Sequence, residues 1–105
     1  MPPPFSVEVH LVGDIHVVVV SGELDLASRV GLPDLLAELN GPVVIDLAQL
    51  SFIDSSGISA LVQARKRIEQ AGASLRLTRP QKRVIQTLEI IGLADWVVPW
   101  VPAWA

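Results

Sequence analysis

Val43-Val44-Ile45-Asp46-Leu47-Ala48-Gln49-Leu50-Ser51-Phe52-Ile53-Asp54-Ser55-Ser56-Gly57 is the stretch from which the rest of the chain can be laid out. Its first five residues read as a strand buried on both faces, Ala48-Gln49-Leu50 leads to a second short apolar run, and Asp54-Ser55-Ser56-Gly57 opens a long helix. A strand that passes through two short acceptor side chains, a hydroxyl and a glycine into a helix is a junction whose first turn has backbone N–H groups without helical partners. Such a turn is suited to an anion, because the donors and the positive end of the helix dipole coincide there. The tetrapeptide has two compatible readings. In the plainer one, Asp54 or a serine is the N-cap of the helix. In the other, one hydroxyl faces solvent as a phosphate acceptor while its neighbour caps.

Upstream, Phe5, Val7, Val9 and Leu11 alternate with Ser6, Glu8 and His10, and Gly13-Asp14 is a turn signal, so a hairpin with one wet face is expected. Its second arm, Ile15 to Val20, is continuously apolar after His16, and both histidines are read as surface residues. Asp25 stands where an N-cap belongs, before Leu26, Ala27, Val30, Leu35, Leu36 and Leu39. Gly31 and Pro33 interrupt that pattern, so the regular helix is expected to begin only near Leu32 and to stop at Asn40-Gly41-Pro42. Downstream, a helix from Ser55 to about Ala71 carries Ile58, Leu61, Val62 and Ile68 on one stripe. Ser74 to Leu77 reads as a short strand, Arg79-Pro80 opens a third helix through Val84, Ile85, Leu88 and Ile91, and Trp96 to Val98 is expected as a last strand. The alternation predicts an α/β fold: a mixed, mostly parallel sheet of four to five strands, an N-terminal β-hairpin and helices packed against the sheet. Asp25 and Asp54–Gly57 each follow a strand and precede a helix, which places both at the sheet edge where ligands of such folds bind.

The chain has 105 residues and reads as a single domain, with residues 1–4 flexible and 99–105 a Pro/Trp-rich tail. Half of it is hydrophobic and the mean hydropathy is +0.48, which excludes disorder, yet no apolar run approaches membrane-spanning length. No base precedes Arg29, so the charged start of a secretory signal is lacking and a cytoplasmic protein is expected. Without cysteine there is no disulfide framework or thiol nucleophile, and His10 with His16 is a poor metal site. The net charge of −3 divides unevenly: residues 1–64 hold eight acids and one base, residues 65–105 seven bases and three acids. The bases raise nucleic-acid binding as a possibility, but overall acidity and the lack of interleaved aromatic residues point to solvated helix faces. Nucleotide-loop, nucleophile-elbow and zinc-protease motifs are all missing, and Ser55 and Ser56 have no histidine base nearby in sequence, so an enzyme is not expected. Trp96, Trp100 and Trp104 recur every four residues, but Pro99 and Pro102 oppose a helix there; the tail either covers the core or forms an apolar patch for association.

Gly22-Glu23-Leu24-Asp25, then Val43 to Leu47, then Phe52-Ile53-Asp54-Ser55-Ser56-Gly57, then Arg83 through Gly92-Leu93 together resemble a STAS domain, specifically that of the anti-sigma factor antagonists, over about residues 5–98. The resemblance implies that Ser55 is phosphorylated by a partner kinase and that Asp25, near it, helps partner binding, with Asp54, Ser55, Ser56 and Gly57 completing the partner surface. It implies partner switching: the unphosphorylated protein binds an anti-sigma factor serine kinase and frees a sigma factor, phosphorylation ends the binding, and a PP2C-type phosphatase reverses it. It implies no cofactor, no direct contact with nucleic acid or membrane, and a monomer or weak homodimer. The alternative within the fold is a non-catalytic subunit of another assembly, stressosome-like or part of a lipid-transport ATPase. Gly31 and Pro33 in the helix after Asp25, and the Pro/Trp tail in place of the family's usual C-terminal helix, are the departures from the family pattern.

Overall fold

The computed structural model describes residues 4–104; of the stretch expected to be flexible, residues 1–3 lie outside the described residues. Strands β1 (Ser6–Val12) and β2 (Ile15–Leu24) form the expected antiparallel hairpin around Gly13-Asp14. Strand β3 (Val43–Ile53) lies parallel to β2, and β4 (Leu75–Thr78) parallel to β3, giving a four-stranded mixed sheet in the order β1-β2-β3-β4. Among the described residues three helices connect and follow the strands: α1 (Leu32–Ala37), α2 (Ser55–Gln70) and α3 (Lys82–Ile90). The first starts where expected. Gly31 at φ 82° cannot belong to a right-handed helix, and Pro33 is tolerated in the first turn, where its missing N–H has no helical partner to lose.

Residues paired across neighbouring strands share a face of the sheet. One face carries Val18, Val20, Val43, Ile45, Leu75 and Leu77, which join Leu36 of α1, Leu61, Ala64 and Ile68 of α2, and Val84 and Leu88 of α3 in one buried cluster. Val17, Val19, Val44, Asp46 and Thr78 of the opposite face are also buried. The tail accounts for this. Val98 N–H donates to the Leu77 carbonyl at 2.8 Å, the Thr78 hydroxyl donates to the Trp100 carbonyl, and the Trp104 ring stands 5.1 Å from the His10 ring on β1. Residues 98–104 therefore cross the second face from β4 to β1, with Pro102 buried on the way. Of the two readings of the tail, covering is what the contacts support.

Four expectations need correction. Trp96–Val98 is not a strand: a 3-10 turn (Ala94–Trp96) precedes one bridge between Leu77 and Val97, because the chain turns to cross the sheet instead of extending it. β3 does not break at Ala48-Gln49-Leu50 but runs through to Ile53, absorbing two extra residues against β2 as bulges, one between Asp46 and Gln49 and one between Leu50 and Phe52. The alternating apolar face of β1 is covered only at its start: Phe5 and Val7 pack against the core, whereas Val9 and Leu11 are exposed because the helical cluster centres on β2, β3 and β4 while β1 forms the sheet edge. His10 is exposed as expected, but His16 is half-buried, since its strand has neighbours on both sides.

Asp46 is the one acid in the core among the described residues. Its carboxylate takes the Ala48 N–H inside the first bulge at 3.1 Å and a two-point contact from Arg79, at 3.2 Å from Nε and 2.6 Å from a terminal nitrogen. That carboxylate raises the Arg79 pKa further above its ordinary value.

Candidate functional site

The parallel pairing of β2 with β3 ends at Leu24 and Ile53, so the loops beginning at Asp25 and Asp54 leave the sheet side by side. The Asp54 N–H donates to the Leu24 carbonyl at 3.2 Å, tying the second loop to the first. Asp54 is the N-cap of α2, and its Oδ1 accepts from Ser56 N–H at 2.9 Å and Gly57 N–H at 3.0 Å. This settles which residue caps and revises the anion reading. The N–H groups of the second and third helical positions are taken by the protein's own carboxylate, so a phosphoryl group on Ser55 would not find them free. Ser55 is exposed and Ser56 half-buried.

Gly57 is buried, and the reason lies in close approach. A Cβ there would fall 2.5 Å from the Leu24 carbonyl oxygen and 2.9 Å from a side-chain carbon of Ile53. Gly57 thus lets the first turn of α2 rest on the end of β2, which sets where Ser55 stands.

Asp25 caps a turn, not a regular helix. Its Oδ1 accepts from the backbone N–H groups of Ala27 (3.1 Å) and Ser28 (3.0 Å), while the Ser28 hydroxyl accepts from Asp25 N–H at 2.9 Å. The Ser28 hydroxyl donates to the Glu23 carbonyl at 2.6 Å. This reciprocal capping closes one turn, Arg29 N–H to Asp25 carbonyl, before Gly31 diverts the chain. The hydrogen bond from the Ser28 backbone N–H, ahead of the others at this turn, holds the Asp25 carboxyl below its usual pKa.

Between the two loops lies an open depression of about 310 Å³ lined by Leu26, Arg29, Ser55, Ser56, Ser59 and Gln63. Arg29 is the residue that sequence reasoning passed over. Its guanidinium makes no ion pair among the described residues, whereas Arg65, Arg67 and Arg79 pair with Glu69, Asp34 and Asp46, and Arg65 also lies 4.2 Å over the Trp96 ring. The one available signal was that Arg29 is the sole base of the first 64 residues and follows Asp25 by four. The arrangement offers an accessible hydroxyl, a cation beside it and two capping carboxylates. No group of three His, Cys, Asp or Glu side chains able to hold a metal ion occurs among the described residues. No helix there is long and apolar enough to cross a membrane.

A four-stranded mixed sheet with a hairpin at its start is the fold to which comparison with known proteins also leads. The STAS domain family model matches residues 6–103, and the chain belongs to that family. Among its relatives is an anti-sigma-B factor antagonist of Bacillus subtilis, 33% identical over 79 residues that cover 72% of each chain. The Haemophilus influenzae phospholipid transport system binding protein MlaB is 29% identical over 56 residues, 53% of each chain. Among solved structures, the anti-sigma factor antagonist SpoIIAA in its unphosphorylated form superposes with a TM-score of 0.78 at 20% identity, over 93% of this chain and 89% of that one.

Proposed function

We propose that this protein is an anti-sigma factor antagonist that binds an anti-sigma factor serine kinase through the edge formed by Asp25, Asp54, Ser55 and Ser56, with Gly57 fixing the position of that edge, and that phosphorylation of Ser55 ends the binding. The observation that carries the proposal is the exposure of Ser55 immediately after its capping aspartate, on the rim of the depression that Arg29 lines. The relatedness to the Bacillus subtilis antagonist supports the class of partner.

The physics of the switch follows from the caps. Phosphorylation adds about 1.5 to 2 negative charges at neutral pH. With Asp54 occupying the Ser56 and Gly57 N–H groups, that charge stands beside a carboxylate and has Arg29 as its nearby cation. A partner surface closing over Ser55 would then have to desolvate an incompletely compensated dianion, costing several kcal/mol. Nothing needs to refold for the complex to be lost. The sigma factor is freed while the antagonist holds the kinase, and a PP2C-type phosphatase resets the cycle.

Incubation of the protein with ATP and its cognate anti-sigma kinase, followed by intact mass measurement and titration calorimetry, tests this. Wild type is expected to gain one phosphoryl group and Ser55→Ala none. Ser55→Ala is expected to keep binding the kinase, and Ser55→Asp to bind at least tenfold more weakly. Undiminished binding by Ser55→Asp would remove the switch, and transfer of the modification to a Ser56-dependent site would show that the wrong serine had been assigned.

The likeness to MlaB favours one second reading, a non-catalytic subunit of a lipid-transport ATPase. Stoichiometric recovery with such a complex, with Ser55 unmodified, would identify it.

A further inference from the structure

The two edges of the sheet are finished differently. On the β4 side, Leu77 bridges Val97 and its carbonyl accepts the Val98 N–H. On the β1 side no strand pairs among the described residues. The hairpin loop has two residues, with Gly13 at φ 62°, a conformation that glycine supplies at the first position of this kind of turn. A two-residue loop makes Val12 and Ile15 a hydrogen-bonded pair, and alternation along the strand then directs the N–H and C=O groups of Val7, Val9 and Leu11 away from β2. Their side chains share one face of the sheet, where Val9 is 41% and Leu11 66% exposed. The seven residues of this edge strand include neither proline nor lysine, two of the residues by which free edges are ordinarily blocked.

We propose that β1 pairs antiparallel with β1 of a second copy of this chain, about a two-fold axis at Val9. The sequence of the strand selects both the occupant and the register. Centred on Val9, the pairing uses all of Ser6–Val12 and sets Val7 opposite Leu11 on the apolar face. On the other face it sets Glu8 opposite His10 twice, acid against base, whereas centring on Glu8 or His10 would set like residues opposite each other. Glu8 and His10 already meet within one strand at 3.3 Å, so the dimer would gather four such side chains into one cluster. Val9 and Leu11 pair with Val18 and His16 in the first half of β2, whereas the Ser55 edge lies beyond Leu24 at its other end. The dimer therefore leaves both Ser55 edges open and does not depend on the functional reading above.

Sedimentation velocity over a concentration series, with circular dichroism to confirm folding, tests the pairing. Wild type is expected to pass from monomer to dimer as concentration rises. Val9→Lys and Val9→Glu each place like charges on the two-fold axis and are expected to raise the dissociation constant about tenfold or more, while an equimolar mixture of the two recovers the dimer. Glu8→Lys, at a surface position, is expected to weaken the dimer similarly, and adding His10→Glu to restore it. A wild type that stays monomeric throughout, a dimer indifferent to Val9→Lys and Glu8→Lys, or folded variants whose mixture does not recover would overturn the proposal.

Discussion

Gly57 and Asp25 show what single residues decide at the proposed edge. Gly57→Ala removes a helix-interior glycine, which alone would stabilise by up to about 1 kcal/mol. Against this, the new methyl would meet the Leu24 carbonyl at 2.5 Å, and a backbone atom has little room to yield. A net loss of about 1–3 kcal/mol is expected, read as a lower midpoint in denaturant, and on the proposed function a weaker hold on the kinase because Ser55 is displaced along with the helix start. Asp25 predicts a pH effect. Its folded pKa lies below the ordinary 3.8, so the stabilisation from its hydrogen bonds is present above 3.8 and is lost as the pH falls through the lower folded value. Denaturation of wild type and Asp25→Asn from neutral pH to below 3.8 should show a stability gap that narrows at the acid end; a constant gap would mean that the carboxylate charge contributes nothing. At this scale the sequence was partly readable. A capped helix start at Asp54-Ser55-Ser56-Gly57 follows from residue type and order, but these leave open whether Asp54 or a serine caps, and Ser55 is singled out only by the family resemblance. Arg29 could not be found in that way, because its place beside Ser55 comes from the turn that Asp25 and Ser28 close.

At the scale of elements, helices were more legible than strands. Gly31 and Pro33 mark the start of α1 and Gly72 the end of α2 through local backbone chemistry alone. The bulges of β3 have no such signature, because an extra residue is extra only relative to the partner strand. Asp46 holds the first bulge and Arg79 holds Asp46, and their unequal exposure makes the pair asymmetric: the acid is almost wholly buried, the arginine 29% exposed. Removing Arg79 leaves an unpaired carboxylate in the core, whereas removing Asp46 leaves a guanidinium that can reach water. Arg79→Ala is therefore expected to cost about 3–5 kcal/mol and Asp46→Ala distinctly less. Urea unfolding of the two variants measures the difference, and equal losses would mean that the pair acts only through packing.

For the whole molecule, the decisive question is how a sheet of four strands buries both faces when its helices gather in one cluster. The periodicity of the tryptophans could not answer it, since covering is a tertiary relation between the last residues and strands up to nearly a hundred positions away. Prolines keep the tail out of a helix, and a non-helical segment can cross strands that a helix of similar residue number would not span. If that crossing covers the second face, substitutions along the tail should rank by burial and not by size. Pro102 is buried and Trp104 half exposed. Pro102→Asp would place an unpaired charge at a buried position of the tail and is expected to lose several kcal/mol, whereas Trp104→Ala, which gives up chiefly the His10 contact, should lose about 1 kcal/mol. Thermal unfolding of the two variants provides the comparison. A larger loss from the tryptophan would place the tail's anchor at β1 and reduce Pro102 to a spacer.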